Sequence, residues 1–371
     1  MFTNKTQLEE AIDLWISNET SATNIYGDIN DWDVSAITDF SSLFEGQINF
    51  NSDISGWDVS NGTNFESMFE GATSFNQDIG SWEVGSGITF WRMFYDAESF
   101  NHDIGSWDVS NANNISTMFA NASSFNQDLN NWVVSNVTDF DFVFLGATDF
   151  NGDISLWDVN SGTSFAAMFQ NATSFNQDIG SWDVSNSRSF ASMFSGASSF
   201  NQDLKDWNTG SSTIFSSVFE NATSFNGDLT NWVVSNGTYF HKMFSGASSF
   251  NQDIGSWDVS NGNRFDSMFS GASSFNQDLN QWDVSNGDHF EGMFYFASSF
   301  NGNISSWDVS NSSLFYLMFY YAESFNQDIS NWDVSSGTLF QYMFGNAAAF
   351  NQDISGWDVS NGTNFEIMFS G

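Results

Sequence analysis

The sequence predicts a repeat solenoid, and more narrowly a leucine-rich-repeat-like parallel β-solenoid of about 14 coils. Tryptophan recurs every 25 residues from Trp32 to Trp357 without insertion or deletion. The apolar residues around each tryptophan keep the same spacing, whereas residues 1–26 do not fit the repeat. A unit this small cannot bury its own apolar face and must stack on its neighbours. We therefore predict one continuous array over residues 27–371, with an incomplete last repeat and a helical cap before the first.

The cap is predicted to be an amphipathic helix over about Thr6–Ser17. Thr6 and Glu9 have the spacing of a capping box. The apolar residues of this segment fall on one helical stripe: Leu8, Ala11, Ile12 and Trp15. This stripe is expected to cover the first coil, and Asn18–Tyr26 is expected to be the loop that connects the cap to the array.

Each repeat is predicted to contain one short strand. The pattern I-x-x-W-x-V, as at Ile54, Trp57 and Val59, has the spacing of the strand segment of a leucine-rich repeat. Side chains two residues apart point the same way from an extended chain, so W-x-V is the predicted strand. Strands one coil apart would form a parallel sheet with a spacing of about 4.8 Å.

A short helix or 3-10 segment is predicted after an S-N-G-T turn, as at Ser60–Thr63. The apolar residues that follow are spaced like one helical face: Phe65, Met68, Phe69 and Ala72. Two residues after the second Phe, most repeats have Gly or Asn, as at Gly71, which predicts a left-handed residue that ends the helix. Phe296 and Tyr321 are exceptions, where the helix is expected to end differently.

A phenylalanine–asparagine pair recurs before the next strand, as at Phe75 and Asn76. This pattern predicts a buried Phe stack beside a column of Asn amides. The amides are expected to hydrogen-bond to turn backbone and to the adjacent coils.

Composition excludes several classes of partner. The chain has 45 acidic and 6 basic residues, a formal net charge of −39, which would repel nucleic acid and anionic membranes. There is no apolar run of membrane-spanning length and no leader pattern near Met1, so we expect a chain that neither spans a membrane nor carries its own signal. Without Cys, there is no disulfide and no thiolate metal site.

The motifs A-S-S-F-N-Q-D-I-G-S-W-D-V-S-N and M-F-x-x-A resemble the repeats of BspA-like leucine-rich-repeat bacterial surface proteins and of mycoplasma-type lipoproteins. The resemblance covers about residues 27–371 and implies a surface-exposed solenoid that serves adhesion, with no established chemistry. Ile37 and Val137 keep the apolar corner residue that the resemblance leads us to expect. Several other repeats have glycine there: Gly62, Gly162, Gly237 and Gly287.

An enzyme is not predicted. His102, His241 and His289 occupy three different positions of the repeat. A cysteine nucleophile and a glycine-rich phosphate loop are both missing from the sequence.

A column of aspartates, four residues before each tryptophan, is the candidate metal site. Asn303 is its one exception. Such stacked charges repel by about 1 kcal/mol per neighbouring pair in water, so the column needs an offset. The favoured interpretation is that each carboxylate accepts backbone N–H bonds in a tight turn; the weaker one is calcium bridging adjacent coils. The candidate ligands are Asp53, Asp78, Asp103, Asp128, Asp153 and Asp178.

A second aspartate column, directly after tryptophan, is predicted to lie on the outer face. Asp58 is a typical member, and Val133 and Val233 replace it in other repeats. A position that accepts both a carboxylate and an isopropyl group is expected to face solvent.

The sequence therefore predicts a non-enzymatic, extracellular or cell-surface repeat protein that mediates adhesion, or protein or glycan interaction, through an acidic solenoid face. The alternative is a structural stalk or filament subunit, calcium-stabilised or not, that assembles end to end through residues 351–371. A third hypothesis is a flat Ser/Thr/Asn array that binds ice, glycan or mineral. Its threonine column is broken, however, for example at Ile88 and Asn113.

Overall fold

The computed structural model describes residues 1–370, which form two compact units, Met1–Asp183 (unit 1) and Val184–Gly371 (unit 2). Each unit is a series of coils of 25 residues, and unit 1 also contains the N-terminal cap. The regular helices are α1 at Lys5–Ser17, α2 at Glu19–Tyr26 and one 3-10 turn at Ile29–Asp31. None of the helices in residues 1–370 is long and apolar enough to cross a membrane.

Helix α1 confirms the predicted amphipathic cap. Its predicted apolar stripe is buried: Leu8, Ala11, Ile12 and Trp15. Trp15 Nε1 donates to Ser52 Oγ at 2.9 Å, and the Trp15 ring meets Trp32 edge-on with ring centroids 5.9 Å apart. The cap therefore covers the first coil.

Two details of the cap prediction are wrong. The residue that caps α1 is Asn4, whose side chain accepts from Gln7 N, and not Thr6. The predicted loop at Asn18–Tyr26 is helix α2, because the Asn18 side chain accepts from Ser21 N and so starts a second helix.

The tryptophans form a buried column inside each unit, as predicted. In unit 1, Trp107 is stacked between Trp82 and Trp132, with ring centroids 6.5 Å apart on both sides. Its indole Nε1 donates to Ile79 O, in the preceding coil, at 3.1 Å. From Trp57 onward the described indoles repeat this bond to the preceding coil, whereas Trp32 Nε1 donates to Gly27 O at 3.3 Å. The buried N–H groups of these indoles are therefore satisfied.

Phenylalanines fill the rest of the core. Within a coil, Phe69 and Phe75 stack at 4.0 Å, and Phe69 stacks on Phe94 of the next coil at 5.5 Å. The same arrangement recurs in unit 2, where Phe294 stacks on Phe300 at 3.8 Å and on Phe319 at 5.6 Å. The predicted inward stack of aromatic residues is confirmed.

The predicted W-x-V strand is absent from residues 1–370. The β pairing there consists of isolated parallel bridges seven residues after tryptophan, such as Asn64↔Thr89. The carbonyl of Ile54 is already used twice, by Trp57 N at 3.1 Å and by Trp82 Nε1 at 3.2 Å. Because turn and indole bonds occupy such groups, no backbone ladder forms beside the tryptophan.

The predicted short helix after the corner is also wrong, although its residues do face inward. Phe65 N, Ser67 N and Phe69 N donate to the next coil, at 2.9–3.0 Å. The N–H groups between them close turns within their own coil, as Met68 N does with Phe65 O. A helix would direct all of these bonds along one coil, whereas here alternate N–H groups join neighbouring coils.

This alternation places two residues in the left-handed conformation in each coil from that of Trp32 to that of Trp332. Gly71 has φ 69°, which agrees with the predicted left-handed column, and Phe296 and Tyr321, expected to differ, share it at φ 57°. The second left-handed position, ten residues after tryptophan, was not predicted. Ser67 occupies it with φ 53°.

The glycine of the S-N-G-T turn and the asparagine column both contribute to close packing of the coils. An ideal Cβ on Gly62 would lie 2.5 Å from Phe65 Cζ, so the Phe ring fills the corner that glycine leaves. Asn76 N donates to Asn51 Oδ1 at 2.9 Å, and the same bond recurs from coil to coil within each unit. These bonds agree with the predicted asparagine column.

The coil of Trp357 exposes apolar side chains, with Phe365, Ile367 and Phe369 exposed by 40%, 46% and 58%. Self-association through residues 351–371 stays a prediction, and Gly371 lies outside the described residues.

Candidate interaction surface

The aspartates four residues before tryptophan form turns with their own backbone. Asp53 Oδ1 accepts from Ser55 N at 2.9 Å, and Asp103 Oδ1 accepts from Gly105 N at 2.9 Å. Asp78, Asp153 and Asp178 make the same bond to the residue two positions on. These are the backbone N–H bonds that the favoured interpretation predicts.

Asp128 uses a different donor. Its Oδ1 accepts from the backbone N of Asp153, in the next coil, at 2.8 Å. The next coil approaches closely here because Gly152 has no side chain: an ideal Cβ on it would lie 2.0 Å from Gln127 O. Leu129 N then also reaches Asp153 O, at 3.0 Å.

Calcium binding by this column stays a prediction. Within residues 1–370, no three His, Cys, Asp or Glu side chains are grouped so that they could hold a metal ion. The bond from Ser55 N lowers the pKa of Asp53 below its usual value, so hydrogen bonding alone favours the charged form of that residue.

The second aspartate column is exposed, as predicted, but it too forms turns. Asp58 Oδ1 accepts from Ser60 Oγ at 2.6 Å and from Ser60 N at 3.1 Å, and these bonds lower the pKa of Asp58. Val133, which replaces it in another coil, is 53% exposed.

The three histidines have separate surroundings. His102 Nε2 lies 3.0 Å from Asn76 O, and His289 Nδ1 lies 2.5 Å from Asp288 Oδ1. His241 lies in a polar column of unit 2, described next.

Nine residues after tryptophan, unit 2 carries polar side chains in seven successive coils, from Ser216 to Glu366. We call the middle five the polar stripe: His241, Asp266, Glu291, Tyr316 and Gln341. These side chains are buried or half-buried. Asp266 is 9% exposed and pairs with Arg264, whose Nε lies 2.9 Å from Asp266 Oδ1.

Three atoms of the polar stripe are buried without a hydrogen-bond partner: His241 Nδ1, Glu291 Oε2 and Gln341 Oε1. The two oxygens can only accept hydrogen bonds. A buried polar atom without a partner costs about 1–3 kcal/mol, so these atoms favour a ligand that brings donors.

Burial also shifts the pKa values of the polar stripe. It raises the pKa of Glu291, an effect that the Asp266 carboxylate reinforces and that His289 and Arg264 oppose. It lowers the pKa of His241, and Asp266 opposes that shift. Tyr316 has a raised pKa because of burial and then of the Glu291 charge.

The coils of Trp282, Trp307 and Trp332 also carry a group of five rings in mutual contact, which we call the aromatic cluster: Tyr295, Phe296, Tyr320, Tyr321 and Tyr342. Tyr295 stacks on Tyr320 at 5.6 Å and 12°, and Phe296 stacks on Tyr321 at 4.5 Å and 11°. Phe296 remains 42% exposed. The Tyr320 ring leans over Gly345, where an ideal Cβ would lie 2.8 Å from it.

Unit 1 has a cation at the corresponding positions. Arg92 Cζ lies 4.4 Å from the centroid of the Tyr95 ring and 5.1 Å from that of Trp91. Arg92 Nη1 lies 3.0 Å from Glu70 Oε1, in the preceding coil. The outward face can therefore hold a guanidinium between an aromatic ring and a carboxylate.

The sequence carries signals for this surface. Phe296 and Tyr321 place aromatic rings in a column that is otherwise mostly Gly and Asn. The polar stripe could have been found by comparing outward positions between coils, since the apolar positions around them hardly change.

A family profile described as "Mycoplasma protein of unknown function, DUF285" matches residues 1–132, 114–232, 215–320 and 313–371. No curated protein matches the chain. A solved structure described as "Crystal structure of TLR13-ssRNA13 complex" matches at 12% identity with a TM-score of 0.25. The match covers 76% of this chain and about half, 50%, of that one. A likeness this weak supports no argument about fold or function.

Proposed function

The chain belongs to the Mycoplasma family DUF285, whose function is unknown, and we propose that it is a non-enzymatic interaction protein of the cell surface or extracellular space. Its outward face is the proposed binding surface, and the proposed partner is a protein or a glycan. Adhesion is the biological role that we assign to this binding.

The observation that supports this proposal is the contrast between the inward and outward positions of unit 2. The inward rings hardly change from coil to coil, as in the column Phe244, Phe269, Phe294, Phe319 and Phe344. The polar stripe differs in every coil, and the aromatic cluster is confined to three coils. Folding requires the inward uniformity, but it does not require exposed rings or unpartnered acceptors, which are typical of binding surfaces.

The proposal can be tested with a variant in which the aromatic cluster is replaced by the residues that other coils have there, which we call the reset variant. In the coils of Trp232 and Trp257, the positions of the aromatic cluster hold Ser and Gly. Tyr295→Ser, Phe296→Gly, Tyr320→Ser and Tyr321→Gly together give two later coils the same residues, so the fold should survive. Wild type and variant are compared for binding to arrays of extracellular-matrix proteins and glycans. We expect wild-type binding that the variant loses, whereas equal binding by both, or none by wild type, would contradict the proposal.

A further inference from the structure

We propose that the aromatic cluster and Glu291 bind arginine side chains of a basic segment in a partner protein. This inference rests on the proposed function and names the chemistry of its partner. It is built on an internal comparison between two coils and on the acceptors that lack donors.

The coil of Trp82 supplies the template. We number positions in a coil by their distance from its tryptophan, so Arg92 is at position 10 and Tyr95 at position 13. The Arg92 guanidinium lies over the Tyr95 ring, with Cζ 4.4 Å from the ring centroid. Glu70 completes the arrangement through Arg92 Nη1 at 3.0 Å. A guanidinium thus already occupies this place on the same protein.

The coil of Trp282 has the same ring but no cation. Tyr295 is its position 13 and corresponds to Tyr95, while Gly292 stands at the position of Arg92. The two backbones match, since Gly292 has φ 59° and Arg92 has φ 56°. Around Gly292, the nearest neighbours of an ideal Cβ are Ser267 Oγ at 3.5 Å and Tyr295 Cβ at 3.7 Å, so a side chain would fit there.

The acceptor here differs from that of the template, because Ser270 stands where Glu70 does and a carboxylate stands instead nine residues after Trp282. Position 9, which is Trp91 in the template, is Glu291 in the coil of Trp282. Its Oε2 is buried without a hydrogen-bond partner. The two basic side chains that act on Glu291 have other partners: Arg264 is paired with Asp266 at 2.9 Å, and His289 Nδ1 lies 2.5 Å from Asp288 Oδ1.

The choice of arginine follows from shape and charge. A guanidinium is planar, stacks on aromatic rings and offers five donors, whereas an ammonium is a compact and strongly hydrated charge. The net charge of −39 attracts basic segments to the whole surface, and stacked Tyr295 and Tyr320 add a local preference for a planar cation. A glycan would stack on the same rings, but it would not require the Glu291 charge.

The test uses the whole chain and three peptides in which arginine, citrulline or lysine alternates with glycine, three copies each. Citrulline has nearly the shape of arginine without its charge, and lysine has the charge without the plane. Calorimetric titration at 150 mM salt limits binding that depends on net charge alone. We expect the arginine peptide to bind about tenfold more tightly than the citrulline peptide, and more tightly than the lysine peptide, because only the guanidinium is both charged and planar.

Gly292→Arg is the decisive variant, because it places the chain's own guanidinium where Arg92 lies in the template. We expect it to weaken binding of the arginine peptide about tenfold. Phe142→Arg is the matched control, since Phe142 has the same position in a unit 1 coil, φ 61° and 40% exposure. It adds the same charge and should leave the local site intact. Glu291→Gln should also weaken binding, whereas Glu98→Gln, an exposed site in unit 1, should not.

Equal binding of the arginine and lysine peptides, or equal loss in Gly292→Arg and Phe142→Arg, would overturn this inference in favour of attraction by net charge. If the reset variant loses binding to an array partner that Gly292→Arg still binds, the proposed function stands and the arginine site falls. If neither variant affects any binding, both fall.

Discussion

At the scale of single residues, the unusual feature is the second left-handed position of each coil. Residues that disfavour this conformation occupy it, among them Thr117, Leu317 and Ile367, all with φ between 50° and 61°. A left-handed L-residue costs about 1–2 kcal/mol, and the cost recurs in nearly every coil. It is tolerated because the alternate N–H bonds to the next coil depend on it.

Glycine substitutions test this strain. Gly292→Ala should destabilise the protein by about 1 kcal/mol, because φ is 59° there and the Cβ itself has room. Leu317→Gly should stabilise it by a similar amount, whereas Leu317→Ala, which removes the same apolar contacts, should not. Urea unfolding of the three variants measures these differences. A neutral Gly292→Ala would show that the left-handed backbone is not under strain.

At the scale of one coil, the sequence predicted which residues face inward but not how the backbone is bonded. The spacing of Trp107, Phe119 and Phe125 was enough, since burial depends on the pattern of apolar residues and all three are buried. The hydrogen-bond pattern depends instead on competition between groups. Indole N–H groups donate to carbonyls that a strand would need. In the segment predicted to be a helix, alternate N–H groups donate to the next coil. The spacing of apolar residues predicts neither kind of bond.

The same distinction applies to the candidate site. The aspartate turns could be predicted from one isosteric exception, Asn303, whose Oδ1 makes the same bond to Ser305 N at 3.0 Å. The proposed arginine site consists of residues that differ from the repeat consensus, so the consensus does not predict it. Gly292 and Tyr295 indicate a site only when the structure shows that they correspond to Arg92 and Tyr95.

Loss of one inward tryptophan should melt the coils around it first. Trp107→Ala removes two ring stacks and the bond to Ile79 O, at a cost of about 3–5 kcal/mol. Coupling in a solenoid is between nearest neighbours, so hydrogen exchange should rise first in the coils of Trp82, Trp107 and Trp132. Trp91→Ala is the control, because Trp91 is an outward residue of the same coil type. Similar losses in both variants would contradict the packing role of the column.

At the scale of the whole molecule, two effects of acid oppose each other. Protonation relieves the repulsion within a net charge of −39, but it also weakens the aspartate turns. Asp58, Asp108 and Asp283 have pKa values lowered by bonds from the serine two residues on. A group with a lowered pKa in the folded state contributes stability above its unfolded pKa, about 3.9, and loses that contribution as pH falls through the folded value.

Stability should therefore respond differently to salt and to acid. Sodium chloride at pH 7 should raise the thermal midpoint, because it screens repulsion and leaves the turns intact. Acidification below about pH 4 should lower the midpoint measured in high salt, where repulsion is already screened. Thermal unfolding over a grid of pH and salt measures both effects. A midpoint in high salt that stays constant down to pH 2 would mean that the aspartate turns add no stability.

Calcium binding by the first aspartate column can be tested against this background. Asn303 makes the turn without a charge, so Asp103→Asn should keep the bond to Gly105 N and remove one member of a like-charged column. Without a bound cation, the variant should be as stable as wild type or more stable, and sodium and calcium at equal ionic strength should raise the midpoint equally. A bound calcium would instead stabilise wild type steeply at millimolar concentration, chelator would reverse the gain, and Asp103→Asn would reduce it. The occupied turn oxygens lead us to expect the first result, and a calcium-specific gain that Asp103→Asn reduces would establish the metal site.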